Sequence, residues 1–196
     1  MERRVFENPL IKDKVTLLKS SEETNGAYTL VEVELLAGGG NDLHYHTSFT
    51  EEFTAIEGTV SIGFGKSNLH LKPGEKALAR INQLHRFYNA SNSTIRFEVK
   101  LVPGAVEFEK GLAIGYGLAT DGLTNKHGIP KKLDHLAVLL DLTNTRLTGI
   151  YGLIIPFLLY RAKQARNKGI LADLENRYWH QTTPKPVTTQ PAAVNA

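Results

Sequence analysis

Gly38-Gly39-Gly40-Asn41-Asp42-Leu43-His44-Tyr45-His46-Thr47-Ser48-Phe49-Thr50-Glu51, closing at Gly58, is one of two stretches that organise this chain; the other runs from Gly74 through Arg80, Asn82 and His85 to Asn89. His44 and His46 stand two apart in a segment expected to be extended, so both imidazoles leave the same face of the strand. Glu51 follows a four-residue turn, and a returning antiparallel strand would set its carboxylate beside that pair. His85 comes from a later strand, which must neighbour the first two if it is to complete the set. Three neutral imidazoles and one carboxylate make a mixed nitrogen and oxygen shell suited to a divalent transition metal (Fe, Mn, Ni, Co or Zn), with one or two positions left for water or substrate. Glu52 takes the place of Glu51 if the strand register slips by one.

Outward from these stretches, about Lys12 to Val102 reads as strand after strand with turn residues between. Val15–Leu18 is the first candidate, followed by Tyr28–Leu35, whose apolar and polar side chains alternate with period 2 until the triple glycine breaks it. Glu52–Glu57, Thr59–Phe64, Leu69–Leu71, Lys76–Ala79, Arg86–Tyr88 and Thr94–Val102 continue the series, punctuated by Gly58, Gly65-Lys66-Ser67-Asn68, Pro73-Gly74 and Asn89-Ala90-Ser91-Asn92. Short strands at this spacing point to a sandwich or barrel.

The spacing resembles the cupin superfamily. Its first motif, G-x5-H-x-H-x4-E-x6-G, is met in full by Gly38, His44, His46, Glu51 and Gly58. Its second, G-x5-P-x-G-x2-H-x3-N, is met in spacing by Gly74, His85 and Asn89, whereas Arg80 stands where proline is usual and Asn82 where glycine is usual. Both departures touch the turn that presents His85. The resemblance covers roughly residues 10 to 105. It implies a mainly β, double-stranded β-helix (jelly-roll) barrel over 10–105 with metal ligation by His44, His46, Glu51 and His85. Two further parts follow it: a mainly helical extension over 106–180, and a disordered tail over 181–196.

In the extension, Glu107 to Gly122 is rich in glycine and carries no clear period. From Pro130 onward Leu133, Leu136, Ala137 and Leu140 fall at helical spacing. Pro156 opens or kinks a further helix running to Gly169, and Ile170 to Trp179 reads as a last short helix with Leu171, Leu174 and Tyr178 on one side. Leu147 to Tyr160 is mainly apolar, too short to span a bilayer, and bounded by cations. Its plainer reading is a face packed on the barrel or against a second copy, with an anionic membrane surface as the alternative.

The chain has no cysteine, which excludes disulfides, thiolate nucleophiles and Cys-ligated metal. The net charge of +3 divides into −3 over residues 1–125 and +6 over 126–196. The front part repels phosphate and no nucleic-acid motif is present, so nucleic acid is not an expected partner. The N-terminal residues lack the apolar run of a signal peptide, which leads to the expectation of a cytoplasmic protein. A homodimer is expected from the edges of a small barrel and the apolar helix. Phe53 and Ala55 share the face of Glu51 and line either pocket or core. Arg80 is read as a solvated edge residue or an anion contact beside His85, and His70 as outward-facing. Arg96, Glu98 and Lys100 alternate with Ile95, Phe97 and Val99 and read as a polar face exposed to solvent rather than a reactive cluster; His127, His135 and His180 have no assigned role. A small molecule is the expected ligand, and the motifs leave two classes open: a dioxygenase- or isomerase-like enzyme, and a non-catalytic binding or sensor protein.

Overall fold

The computed structural model describes residues 4–180, so the expected tail over 181–196 lies outside the described residues. Alternation builds the main sheet. In β3 (Thr29–Leu35), Thr29, Val31, Val33 and Leu35 are buried; in β10 (Ile95–Val102), Ile95, Phe97, Val99 and Leu101 are. The two pair antiparallel with Phe97 opposite Val33 and Val99 opposite Val31, so the inward residues of one strand meet those of the other. Adding β1 (Val5–Asn8), β2 (Asp13–Lys19), β5 (Thr50–Glu57) and β8 (Lys76–Ala79) gives six strands in the order β1-β2-β3-β10-β5-β8.

A second sheet places β6 (Val60–Phe64) between β7 (Ser67–Leu71) and β9 (Arg86–Tyr88). Both sheets feed one core, in which Phe53, Phe87 and Phe97 meet with ring centroids 5.1–6.5 Å apart. Gly40 makes a close approach there, since a Cβ on it would sit 2.7 Å from the Phe87 carbonyl oxygen. On the outer face of the main sheet Arg96 pairs with Glu32 and Glu57, and Lys14 with Glu34, the solvent-facing arrangement that the alternation of Arg96, Glu98 and Lys100 leads one to expect. Exposed pairs of this kind add at most about 1 kcal/mol each.

Two strands fall outside the stretch read as barrel. β1 carries only a short alternation, yet its Phe6 is buried against the ring of Tyr116. The two-residue β11 (Thr145–Arg146) comes from the helical part and pairs antiparallel with β4 (Tyr45–His46), inside the first motif.

The glycine-rich stretch forms α1 (Val106–Thr120). Its glycines serve packing: a Cβ on Gly117 would come within 2.2 Å of the Tyr178 ring, so only glycine lets that ring lie against the helix. Two faces of α1 join two cores. Ala113 and Tyr116 belong to the barrel, while Ile114 and Leu118 pack with residues of α2 (Leu133–Leu142) and α5 (Ile170–Leu174). Polar contacts hold α1 down as well. The buried Glu109 carboxylate accepts from the Ser21 N–H and the Thr29 hydroxyl, both at 2.6 Å, and the Tyr116 hydroxyl donates to Asp13 at 2.5 Å.

Pro156 sits in the first turn of α4 (Ile155–Asn167), after the single turn of α3 (Ile150–Leu153). The last helix expected over Ile170 to Trp179 is α5 followed by a π-helical turn, Glu175–Trp179, and Leu171, Leu174 and Tyr178 are buried as the pattern leads one to expect.

Candidate metal centre

Backbone pairing brings the ligand-type residues together. His44 and His85 face each other across an antiparallel bridge, each N–H donating to the other's carbonyl at 2.9 and 2.8 Å. His46 lies on β4, and Glu51 on β5, flanked by Leu101 and Ala79 of the neighbouring strands. All four side chains are buried, and one donor atom from each lies within 4.8 Å of the others. Glu52 points the other way and pairs with Lys76 at 2.8 Å, so the register selects Glu51.

The turn that departs from the usual motif still delivers His85. Asn82 adopts φ 63°, the left-handed conformation usual for glycine and tolerated by asparagine, and its N–H donates to the His46 carbonyl at 2.8 Å. Gln83 supports the turn by accepting from the Arg80 N–H at 2.9 Å, and the Arg80 side chain is exposed.

Each imidazole is oriented by a backbone carbonyl. His44 Nδ1 lies 2.8 Å from the Asp42 oxygen, His85 Nδ1 2.8 Å from that of Gln83, and His46 Nδ1 3.3 Å from that of Asn144. A carbonyl only accepts, so these bonds put a ring proton on each Nδ1 and turn each Nε2 inward. At His44 and His46 that Nε2 is a lone pair; at His85 it is a donor to the Glu51 carboxylate that becomes a lone pair once its proton leaves. His44 Nε2 and His46 Nε2 then stand 3.1 Å apart with no proton to share, and Glu51 Oε2 is 3.6 Å from His46 Nε2 and 2.7 Å from His85 Nε2. Four inward-facing ligand atoms at this spacing, two of them bare lone pairs 3.1 Å apart, call for a cation between them.

A proton is a poor one at the His44–His46 edge. Burial drives the His44 imidazolium down to about 4 and lowers His46 too, against the pull of Glu51. Burial alone would raise Glu51, but the charge of His46 and the hydrogen bond from His85 outweigh it and bring it down to about 2. At His85 burial disfavours the charged form, yet the hydrogen bond to Glu51 wins and raises it. The donor set therefore fits a divalent transition ion: neutral imidazole nitrogens, one carboxylate, and orienting bonds on every ring.

The flanks of the cluster are aromatic. Phe49 stacks on His46 with centroids 4.5 Å apart, and Phe108 of α1 meets His46 edge-on at 6.3 Å. Phe53 lies on the barrel side, 6.1 Å from His85; it is core, as is Ala55. Beyond Phe49, Phe108 and Asn144 opens a cleft of about 420 Å³ with Glu107, Asp141 and Arg166 among its lining residues. His70 is exposed and bonds Ser61 at 2.9 Å, away from the cluster.

Sequence reasoning misses Asn144 and Phe108. Asn144 adopts φ 51°, offers its carbonyl to His46, and accepts from the Thr47 N–H and hydroxyl through Oδ1 at 2.5 and 2.9 Å. Thr143-Asn144-Thr145 is legible as a helix stop, but nothing local tells that it lands on a motif 98 residues earlier.

No protein-family model and no curated protein matches the chain. Among solved structures it is similar to a predicted oxalate decarboxylase from Thermotoga maritima, at 20% identity over 46% of this chain and 80% of that one, with a TM-score of 0.44. It is similar to a sugar phosphate isomerase from a cupin superfamily of Silicibacter pomeroyi, at 18% identity over 52% and 70%, with a TM-score of 0.43. A third is the Cupin_2 domain of an XRE family transcriptional regulator from Enterobacter cloacae, at 16% identity over 46% and 96%, with a TM-score of 0.42. The antiparallel sheets and their shared core build the double-stranded β-helix that the two motifs lead one to expect, with the helices of the C-terminal part packed on it.

Proposed function

We propose that His44, His46, Glu51 and His85 together hold one divalent transition-metal ion, and that the chain uses it to engage a small oxygen-bearing molecule. The observation that carries this reading is the inward turn of three Nε2 atoms and one carboxylate oxygen, with every Nδ1 engaged by a carbonyl. A bound ion supplies Lewis acidity toward an oxygen donor or, if it is iron, a place for oxygen chemistry.

The protein's own part is orientation and exclusion of water. Asp42, Gln83 and Asn144 hold the rings in one tautomer, and Glu51 supplies the negative charge of the set. Phe49 and Phe108 on one flank and Phe53 on the other keep the surroundings apolar, which strengthens every electrostatic contact inside. The cleft beside Phe49 and Phe108 offers aromatic faces to a ligand. Arg166 is already paired there with Asp141 at 2.9 Å and Glu107 at 3.3 Å, which favours a small molecule with an apolar portion over a polyanion.

The test is a set of thermal melts of metal-loaded and chelator-stripped protein against a panel of small hydroxy and keto acids. At least one acid should raise the melting temperature of the loaded protein and leave the stripped protein unmoved. Equal stabilisation of both forms would contradict a role for the ion in ligand engagement and make the barrel a metal-independent binder.

A further inference from the structure

From Leu142 to Ala172 the chain contains no Asp or Glu, while Arg146, Arg161, Lys163, Arg166 and Lys168 supply cations. The same segment carries the four most exposed large apolar side chains of the described residues. Ile150 is 74% exposed, Leu153 79%, Ile154 47%, Phe157 53% and Tyr160 61%. Helix α4 has two apolar faces, and only one is covered. Ile155, Leu158, Ala162 and Ala165 are buried among the helices, so the expected packing on protein accounts for that face and leaves the other in solvent.

We propose that the open face of α3 and α4 docks on an anionic lipid surface, with Leu153, Ile154 and Phe157 in the acyl boundary and Lys163 and Lys168 at the headgroups. Charge argues for this occupant. Arg161 and Arg166 are neutralised by Asp134, Asp141 and Glu107, whereas Lys163 and Lys168 are exposed and make no ion pair among the described residues. A second copy related by a two-fold axis would set these cationic rims against each other, with no acidic residue in the segment to relieve them. A lipid surface takes up both features at once, and Tyr160 is a residue type that settles at the boundary between them. No described helix is long and apolar enough to cross a membrane, so the segment lies on the surface.

The experiment is flotation of the full chain with neutral phosphatidylcholine vesicles and with vesicles containing about 30% phosphatidylglycerol, at low salt and at about 0.5 M NaCl. The expected result is flotation with the anionic vesicles alone, reversed by salt. Lys163→Glu with Lys168→Glu should weaken it roughly thirtyfold or more. Leu153→Ser with Phe157→Ser should abolish it at an unchanged melting temperature, because both side chains already face solvent. Three results overturn the proposal: no flotation of wild type, flotation indifferent to the lysine substitutions, or a vesicle-free dimer that the Leu153→Ser, Phe157→Ser variant splits.

Discussion

Glu51→Ala is expected to weaken metal binding at least about a thousandfold, since loss of an outer-shell partner alone costs about 10–100-fold. Glu51 is the only anionic member of the set, and its oxygen stands 2.7 Å from His85 Nε2 and 3.6 Å from His46 Nε2. Without it a dication would be left among neutral imidazoles in a buried site, with nothing to offset its charge. Glu52→Ala is the control. That side chain belongs to the same strand but faces outward onto Lys76, so its loss should leave affinity unchanged. Calorimetric titration of chelator-stripped protein separates the two, and equal losses at both positions would mean that the strand is disturbed and the ligand role of Glu51 is wrong.

The second large effect belongs to Asp13, which is not a member of the candidate cluster. Burial raises its carboxyl from 3.8 to about 7, with the hydrogen bond from Tyr116 opposing, and its Oδ1 has no hydrogen-bond partner among the described residues. The folded state therefore holds a proton that the unfolded chain releases, so stability falls as pH rises from the unfolded value of 3.8 through the folded value of about 7. At about 1.4 kcal/mol per unit the fall amounts to roughly 4 kcal/mol across that window. Asp13→Asn keeps an acceptor for the Tyr116 hydroxyl and removes the titration. Its denaturation midpoint should exceed that of wild type at about pH 8 and lose the advantage near pH 4. A parallel pH profile for the two proteins would refute the assignment.

The barrel and the clustering of His44, His46, Glu51 and His85 are legible because both rest on local spacing. Period 2 in β3 and β10 announces a sheet with one buried face, and the two-residue step from His44 to His46 announces a shared side. The choice of Glu51 over Glu52 needs the register, which places Glu51 opposite Ala79 and leaves Glu52 on the outer face to pair with Lys76. Asn82 could be flagged as a departure but not resolved, since only its φ of 63° shows an asparagine doing what glycine usually does.

What escapes the sequence is long-range. The glycines of α1 lower helix propensity, and the reason at Gly117 is the ring of Tyr178, which no window around it contains. Phe108 and Asn144 reach His46 only because α1 and β11 fold back on the first motif, so the helical extension becomes part of the site's support. Residues 147–160 are legible as an apolar segment, but a single apolar stretch cannot tell that α4 buries Leu158 and exposes Phe157.

The most direct test of the account is elemental analysis of the purified, untagged chain beside His46→Ala and Glu51→Ala. The arrangement of His44, His46, Glu51 and His85 leads us to expect about one transition-metal ion per chain in wild type and little in either variant. Wild-type protein that carries no metal and takes up none on reconstitution with Fe, Mn, Co, Ni or Zn would contradict it.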